Sequence, residues 1–295
     1  MLTFETLPKH LPWQRHAYLV LDGVSVKNLL AQAYEWFGTP DLQLLYANTP
    51  LAPCNELSPC LITLNGPNTP GLSHYFAHAV EEWGYLIFSE ASSFDVITHL
   101  RLLLNAHYQP QGQKVWLRVA DPAVMQAVMS HAAGTQKPEV FGPIDQVVLP
   151  DVIHNTWQHH IRPGDIPRPL PAQPYALCEA QQAMLDEVRF RSTLKVLEKH
   201  VREKFPGYGA QWSSDVRWRW VRERADKAYA CGFTSNQDIC LYTNVFLLLG
   251  DYALEQHSDI AALINETSTL TPSQRIEKAA ELAYLRSVVF EGSRV

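Results

Sequence analysis

The sequence predicts an α/β amino-terminal domain, a mixed sheet with covering helices, followed by an all-α carboxy-terminal lobe. Three observations carry that expectation. From Ala17 to about Ile161, short apolar runs of strand length alternate with segments of helical period. The tract RPGDIPRPLPAQPY then holds Pro163, Pro167, Pro169, Pro171 and Pro174, a density that sustains neither helix nor central strand. Everything after it reads as helix. The expected organisation is therefore a domain over 1–162, an extended linker over 163–175 and a helical lobe over 176–295.

Taken in order, AYLVLDG is an apolar strand ending in a turn, and Ser25 is placed to cap a helix that runs through Phe37 and closes at Gly38. LQLLYA and CLITL read as buried strands. Leu72 to Trp83 reads as a helix and YLIFS as a strand. Ser92 or Ser93 caps a further helix to about Ala106, with Phe94, Ile97, Leu100 and Leu104 as its apolar stripe. KVWLRV alternates, with Val115, Leu117 and Val119 on one face and Trp116 and Arg118 on the other. VVLP and the Ile153–Ile161 stretch extend the sheet. Beyond the linker, helices are expected over Leu177 to Phe205, from Ser214 to Cys231, from Ser235 to Gly250, and from the Thr271–Pro272 opening to about Phe290.

Composition narrows the function. A chain of 295 residues, 46% of them hydrophobic, is long enough to bury a substantial core. A net charge of -6 gives no general attraction to nucleic acid or to an anionic membrane. The first residues lack a basic segment followed by an apolar one, and apolar runs such as Val245 to Leu249 fall far short of a membrane span. The five cysteines form no CxxC pair, so neither a disulfide framework nor a zinc knuckle is suggested. These features point to a cytoplasmic protein without a cofactor.

Candidate sites are few. His99 and Arg101 lie two apart on one helix and so point in different directions. Asp121 before Pro122 and the apolar AVMQAVM forms an N-cap with proline at the first helical position, and Arg118 can pair with it or with the helix end. GxSxG is absent, and no serine or cysteine stands in an activating context. His74, His78 and Glu82 fall at i, i+4 and i+8, a spacing able to ligate a metal, but Tyr75 stands where HExxH needs glutamate. His154, His159 and His160 include neighbours that point to opposite sides of a strand. Arg217, Arg219, Trp220 and Arg224 mix cations with an aromatic, as a nucleic-acid surface would, yet Trp218, Val221, Ala225 and Ala228 make a buried stripe that Trp220 does not share. Trp220 is thus the candidate anchor for a protein partner.

Seven short motifs occur in a fixed order: YLVLDG (Tyr18–Gly23), LY (Leu45–Tyr46), PCLITL (Pro59–Leu64), WGYLIFS (Trp83–Ser89), HLR (His99–Arg101), LRVADP (Leu117–Pro122) and FGP (Phe141–Pro143). Together they resemble the amino-terminal domain of the type VI secretion adaptor family, also called effector chaperones, over roughly residues 17 to 150. GFTSNQDICLY and the following LLLGD resemble the family's variable carboxy-terminal lobe more loosely. Val119 and Ala120 stand where the family usually carries aromatics. The resemblance implies a cytoplasmic adaptor without chemistry of its own, which binds a toxic effector and helps load it onto the VgrG spike. It makes His99, Arg101, Arg118, Asp121 and Pro122 shape-determining residues. The alternative from another class is a hydrolase or metal-dependent enzyme using His99 or the pair His74 and His78.

Overall fold

The computed structural model describes residues 7–109, 112–135, 138–164, 173–266 and 268–292. The chain runs β1 (His16–Leu21), α1 (Leu29–Phe37), β2 (Leu42–Leu44), β3 (Cys60–Leu64), α2 (Leu72–Ala77), β4 (Gly84–Ser89), α3 (Ser93–Leu104), β5 (Asn105–Tyr108), β6 (Lys114–Trp116), α4 (Pro122–Thr135), β7 (Gln146–Asp151) and β8 (Thr156–Ile161). It continues with β9 (Ala176–Leu177), α5 (Glu179–Lys204), α6 (Ser214–Ala230), α7 (Asn236–Leu249), α8 (Ala253–Gln256), α9 (Ser258–Asn265) and α10 (Pro272–Gly292). An α/β region followed by an all-helical one is the architecture that the sequence predicts. The compact units are 1–188 and 189–295, so the change from one to the other falls inside α5. Residues 165–172 of the expected linker lie outside the described residues.

The main sheet has the order β2-β3-β1-β4-β7-β8 and pairs antiparallel throughout. Mixed pairing is confined to a small sheet, β6-β5-β9, where β5 meets β6 antiparallel and β9 parallel. Strand alternation divides the large sheet between two cores. Tyr18, Val20, Leu61, Tyr85, Ile87, Val147 and Leu149 pack with α3, α4, β5 and Leu185 of α5. Ala17, Leu19, Leu21, Ile62, Leu64, Leu86, Phe88 and Val148 face the other way, against α1 and α2. Each fully buried large apolar side chain contributes about 1.5–3 kcal/mol. A one-residue slip would exchange the two sets, which is why the register is well specified.

Local departures from the sequence reading have local causes. Ser25 does not cap α1, because its hydroxyl donates to Asp22 (2.8 Å), and the helix starts at Leu29 after the left-handed Asn28. Gly38 closes α1 as expected. The helix from Leu72 breaks at His78, and Glu82 is left-handed. Ser92 caps α3, but Phe94 is 68% exposed and Val96, Leu103 and His99 fill the buried face. The α3 pattern stops at Leu104, where the backbone turns into β5. KVWLRV pairs only as far as Trp116, although Leu117 and Val119 are buried as the alternation predicts.

In the 189–295 unit, α7 packs on α10 and α6, and α9 packs on α10. The GFTSNQDICLY motif builds the joint between α6 and α7. Gly232 takes φ +85, its N–H bonds Tyr229 O, and the Phe233 N–H bonds Ala228 O (3.0 Å), a Schellman ending with Phe233 fully buried. Ser235 then caps α7 through the Asp238 N–H. Ser213 rather than Ser214 caps α6. Thr271 and Gln274 form a reciprocal capping box at the start of α10. No helix among the described residues is long and apolar enough to cross a membrane.

Candidate functional site

Two of the motifs, YLVLDG and LRVADP, meet at the carboxyl end of β1. Asp22 is buried there and accepts from Ser25 Oγ and the Val24 N–H. It also forms an ion pair with Arg118, whose guanidinium lies 3.5 Å from Asp121 as well. Burial alone would lower the Arg118 pKa, but the Asp22 and Asp121 carboxylates outweigh it and hold the group above its ordinary value. Asp121 Oδ1 accepts from Ala123 N (2.9 Å) and Val124 N (3.4 Å), which makes it the N-cap of α4 with Pro122 at the first position. The pairing of Arg118 with Asp121 is thus present, but Asp22 is the more buried partner. The one signal for it in the sequence is an aspartate that ends a run of apolar β residues.

Arg101 and His99 point apart. Arg101 donates to Leu44 O and Leu45 O, both at 3.0 Å, and so holds the end of β2 and the LY motif against α3. His99 is 2% exposed, and its Nε2–H donates to Val140 O at 2.7 Å. Gly142 of FGP takes φ +51, and a Cβ there would sit 2.4 Å from His99 Nδ1, so glycine is required on both counts. Burial first, and the nearby Arg162 second, push the imidazole down to about 4. A neutral ring sealed between a carbonyl and a backbone has no access to a substrate. In the same core Tyr85 donates to Val119 O (2.8 Å), which ties β4 to the loop before α4.

The histidines weighed as metal ligands have other partners. His74 and His78 lie with ring centroids 4.3 Å apart, tilted at 34°, and Trp36 and Trp83 flank them at 4.4 and 4.7 Å. His78 Nδ1 donates to His74 O, whereas the buried Glu82 accepts from the Val152 N–H (2.9 Å). His154 bonds Asp151, His159 bonds Gln146 and His160 bonds Gln126, three separate sites on and beside β8. No cluster of three or more histidine, cysteine or acidic residues able to hold a metal occurs among the described residues.

On α6, Trp218, Val221, Ala225 and Ala228 form the buried stripe, and Arg224 joins them at 8% exposure. Arg224 pairs with Asp251 and lies over the rings of Phe246 (4.5 Å) and Trp220 (5.4 Å). Arg217 donates to Gly209 O (3.0 Å) and pairs with Glu198 (3.6 Å). Arg219 is exposed. Trp220 is half-buried, its ring against those of Tyr208 and Trp212 at 5.2 and 5.7 Å.

The sequence also carries relationships that span this geometry. The family described as a domain of unknown function, DUF4123, matches residues 17–139, which hold Asp22, His99, Arg101, Arg118 and Asp121. "Accessory protein VasW" of Vibrio cholerae serotype O1 (strain ATCC 39315 / El Tor Inaba N16961) is 31% identical over 277 residues, covering 93% of this chain and 90% of that protein. No solved structure matches. A relationship that runs through both compact units, with the domain match in the first, establishes that the chain belongs to the type VI secretion adaptor family marked by this domain of unknown function.

Proposed function

We propose that the protein is a non-catalytic cytoplasmic adaptor that binds a type VI effector and helps load it onto the VgrG spike. The observation that carries this reading is the 31% identity across 93% of the chain to a protein named as accessory, which gives an accessory role in type VI secretion. Effector, spike and cytoplasm are the finer content of the proposal. The geometry agrees with it. Arg101, Arg118, Asp121 and His99 spend their polar atoms on carbonyls, carboxylates and helix ends, where they fix the shape of the 1–188 unit. The enzymatic alternative loses its support from the same residues, since His99 is sealed and His74 and His78 are packed between tryptophans.

Affinity purification of the full chain from its native bacterium, with mass spectrometry of the bound proteins, tests the proposal. An effector and VgrG should be enriched over a control in which an unrelated protein carries the tag. Recovery of neither, from cells that are producing both, would overturn it.

A further inference from the structure

Charge along the chain is segregated. Residues 189–231, covering the second part of α5, its loop and α6, carry eleven lysines and arginines against five acidic residues, a net +6. The rest of the chain carries 13 against 25, a net −12. The two helices run antiparallel within their unit. Phe190 meets Tyr229 (5.5 Å) near one end, and Glu198 pairs with Arg217 (3.6 Å) near the other. At the loop end the aromatic side chains gather: Tyr208 and Trp212 are 5.3 Å apart, and Trp220 packs against both. All three are half-buried, and Val216, one helical turn before Trp220, is 43% exposed. Arg217 and Arg224 are neutralised by Glu198 and Asp251, but Lys204, which closes α5, and Arg219, next to Trp220, face solvent.

We infer that this patch, Tyr208, Trp212, Val216 and Trp220 flanked by Lys204 and Arg219, is a docking surface for an acidic amphipathic helix of a partner protein. The inference rests on the adaptor reading and names the chemistry of its cargo contact. Rigid aromatic rings supply apolar area at small entropic cost, and they are the side chains in which binding energy concentrates. The flanking cations select acidic neighbours around the partner's apolar residues, while the net −12 elsewhere repels such a segment and confines it to the hairpin. A nucleic acid fits less well. Its bases need open ring faces to stack on, whereas these rings are packed against one another at 49–78°.

The probe is a fluorescent synthetic helix of about twenty residues, with leucine at helical spacing and glutamate elsewhere, titrated with the full chain by anisotropy. A matching peptide with lysine for glutamate and an oligothymidylate of similar length serve as alternatives. The acidic peptide should bind and weaken with salt. Arg219→Glu and Lys204→Glu should each weaken it about tenfold, whereas Lys278→Glu, the same charge change at an exposed position of α10, should leave it unchanged. Trp220→Ala should weaken it too, with its melting temperature measured alongside. Absence of binding, equal binding of the lysine peptide, tighter binding of the oligonucleotide, or the same effect from Arg219→Glu and Lys278→Glu would each overturn the inference. Effector and spike recovery by affinity purification is read separately, so failure of the docking surface is distinguished from failure of the adaptor reading.

Discussion

At the scale of single residues, the 1–188 unit depends on a few polar side chains that each serve two parts of the backbone. Asp22 joins the end of β1 to Arg118, and Asp121 joins Arg118 to the start of α4. Their burial differs, with side chains 3% and 19% exposed, so their costs should differ. Asp121→Ala should cost about 1 kcal/mol as a lost cap. Asp22→Ala should cost about 2–3 kcal/mol, because it takes the more buried of two carboxylates from Arg118 and removes the acceptor for Ser25 and Val24. Urea unfolding of both variants checks the order, and equal losses would contradict it. Only Asp121 of this pair was legible in the sequence, because a cap is a local pattern. The Asp22–Arg118 bond spans 96 positions and no spacing rule encodes it.

His99 adds a pH dependence of definite sign. Its folded value is near 4 against an ordinary 6.5, so on acidification the unfolded chain takes up the proton first. Its contribution is complete above about pH 6.5 and is lost as the pH falls towards 4, with a span of about 3 kcal/mol. His160, also held near 4 by burial and then by His159, acts in the same direction. Thermal unfolding between pH 7.5 and 4.5 should show this decline, and a His99→Gln variant should show a shallower one. An unchanged slope in that variant would remove His99 from the account.

At the scale of elements, boundaries follow from chemistry that is short in range. Ser92, Ser235 and Thr271 cap the helices they were expected to cap, and Gly38 and Gly250 close theirs. What the sequence concealed was long-range pairing. β5 continues directly from α3 and is held between β6 and β9, and β9, two residues long, pairs with β5 alone in that sheet. α8 and α9 were passed over because their short runs show little period, although Ile260 and Ile264 are buried at i, i+4. The joint between α6 and α7 is the place to test local coding. Gly232→Ala should cost about 1–2 kcal/mol from the left-handed backbone alone. Circular dichroism melts check it, and a neutral result would show that the Schellman ending is not what fixes the joint.

At the scale of the whole molecule, the proline-rich tract is the obvious mark in the sequence, yet the core of the first unit extends past it. Leu177 of β9 and Leu185 of α5 lie in the same cluster as Leu100 and Val147. A fragment 1–162 therefore lacks part of its own core. It should bind the dye ANS and melt without a cooperative transition, whereas 1–188 should melt cooperatively. Cooperative melting of 1–162 would contradict that assignment.

The proposed function is that the chain delivers cargo to a secretion machine and performs no reaction. The decisive experiment deletes its gene in the native bacterium, with the machine active, and quantifies VgrG and effectors in the culture medium by mass spectrometry. One effector should disappear from the medium and remain inside the cell or be degraded there, and the full chain should restore its release. A folded His99→Gln variant should restore release equally. Undiminished release of every effector from the deletion strain would contradict it.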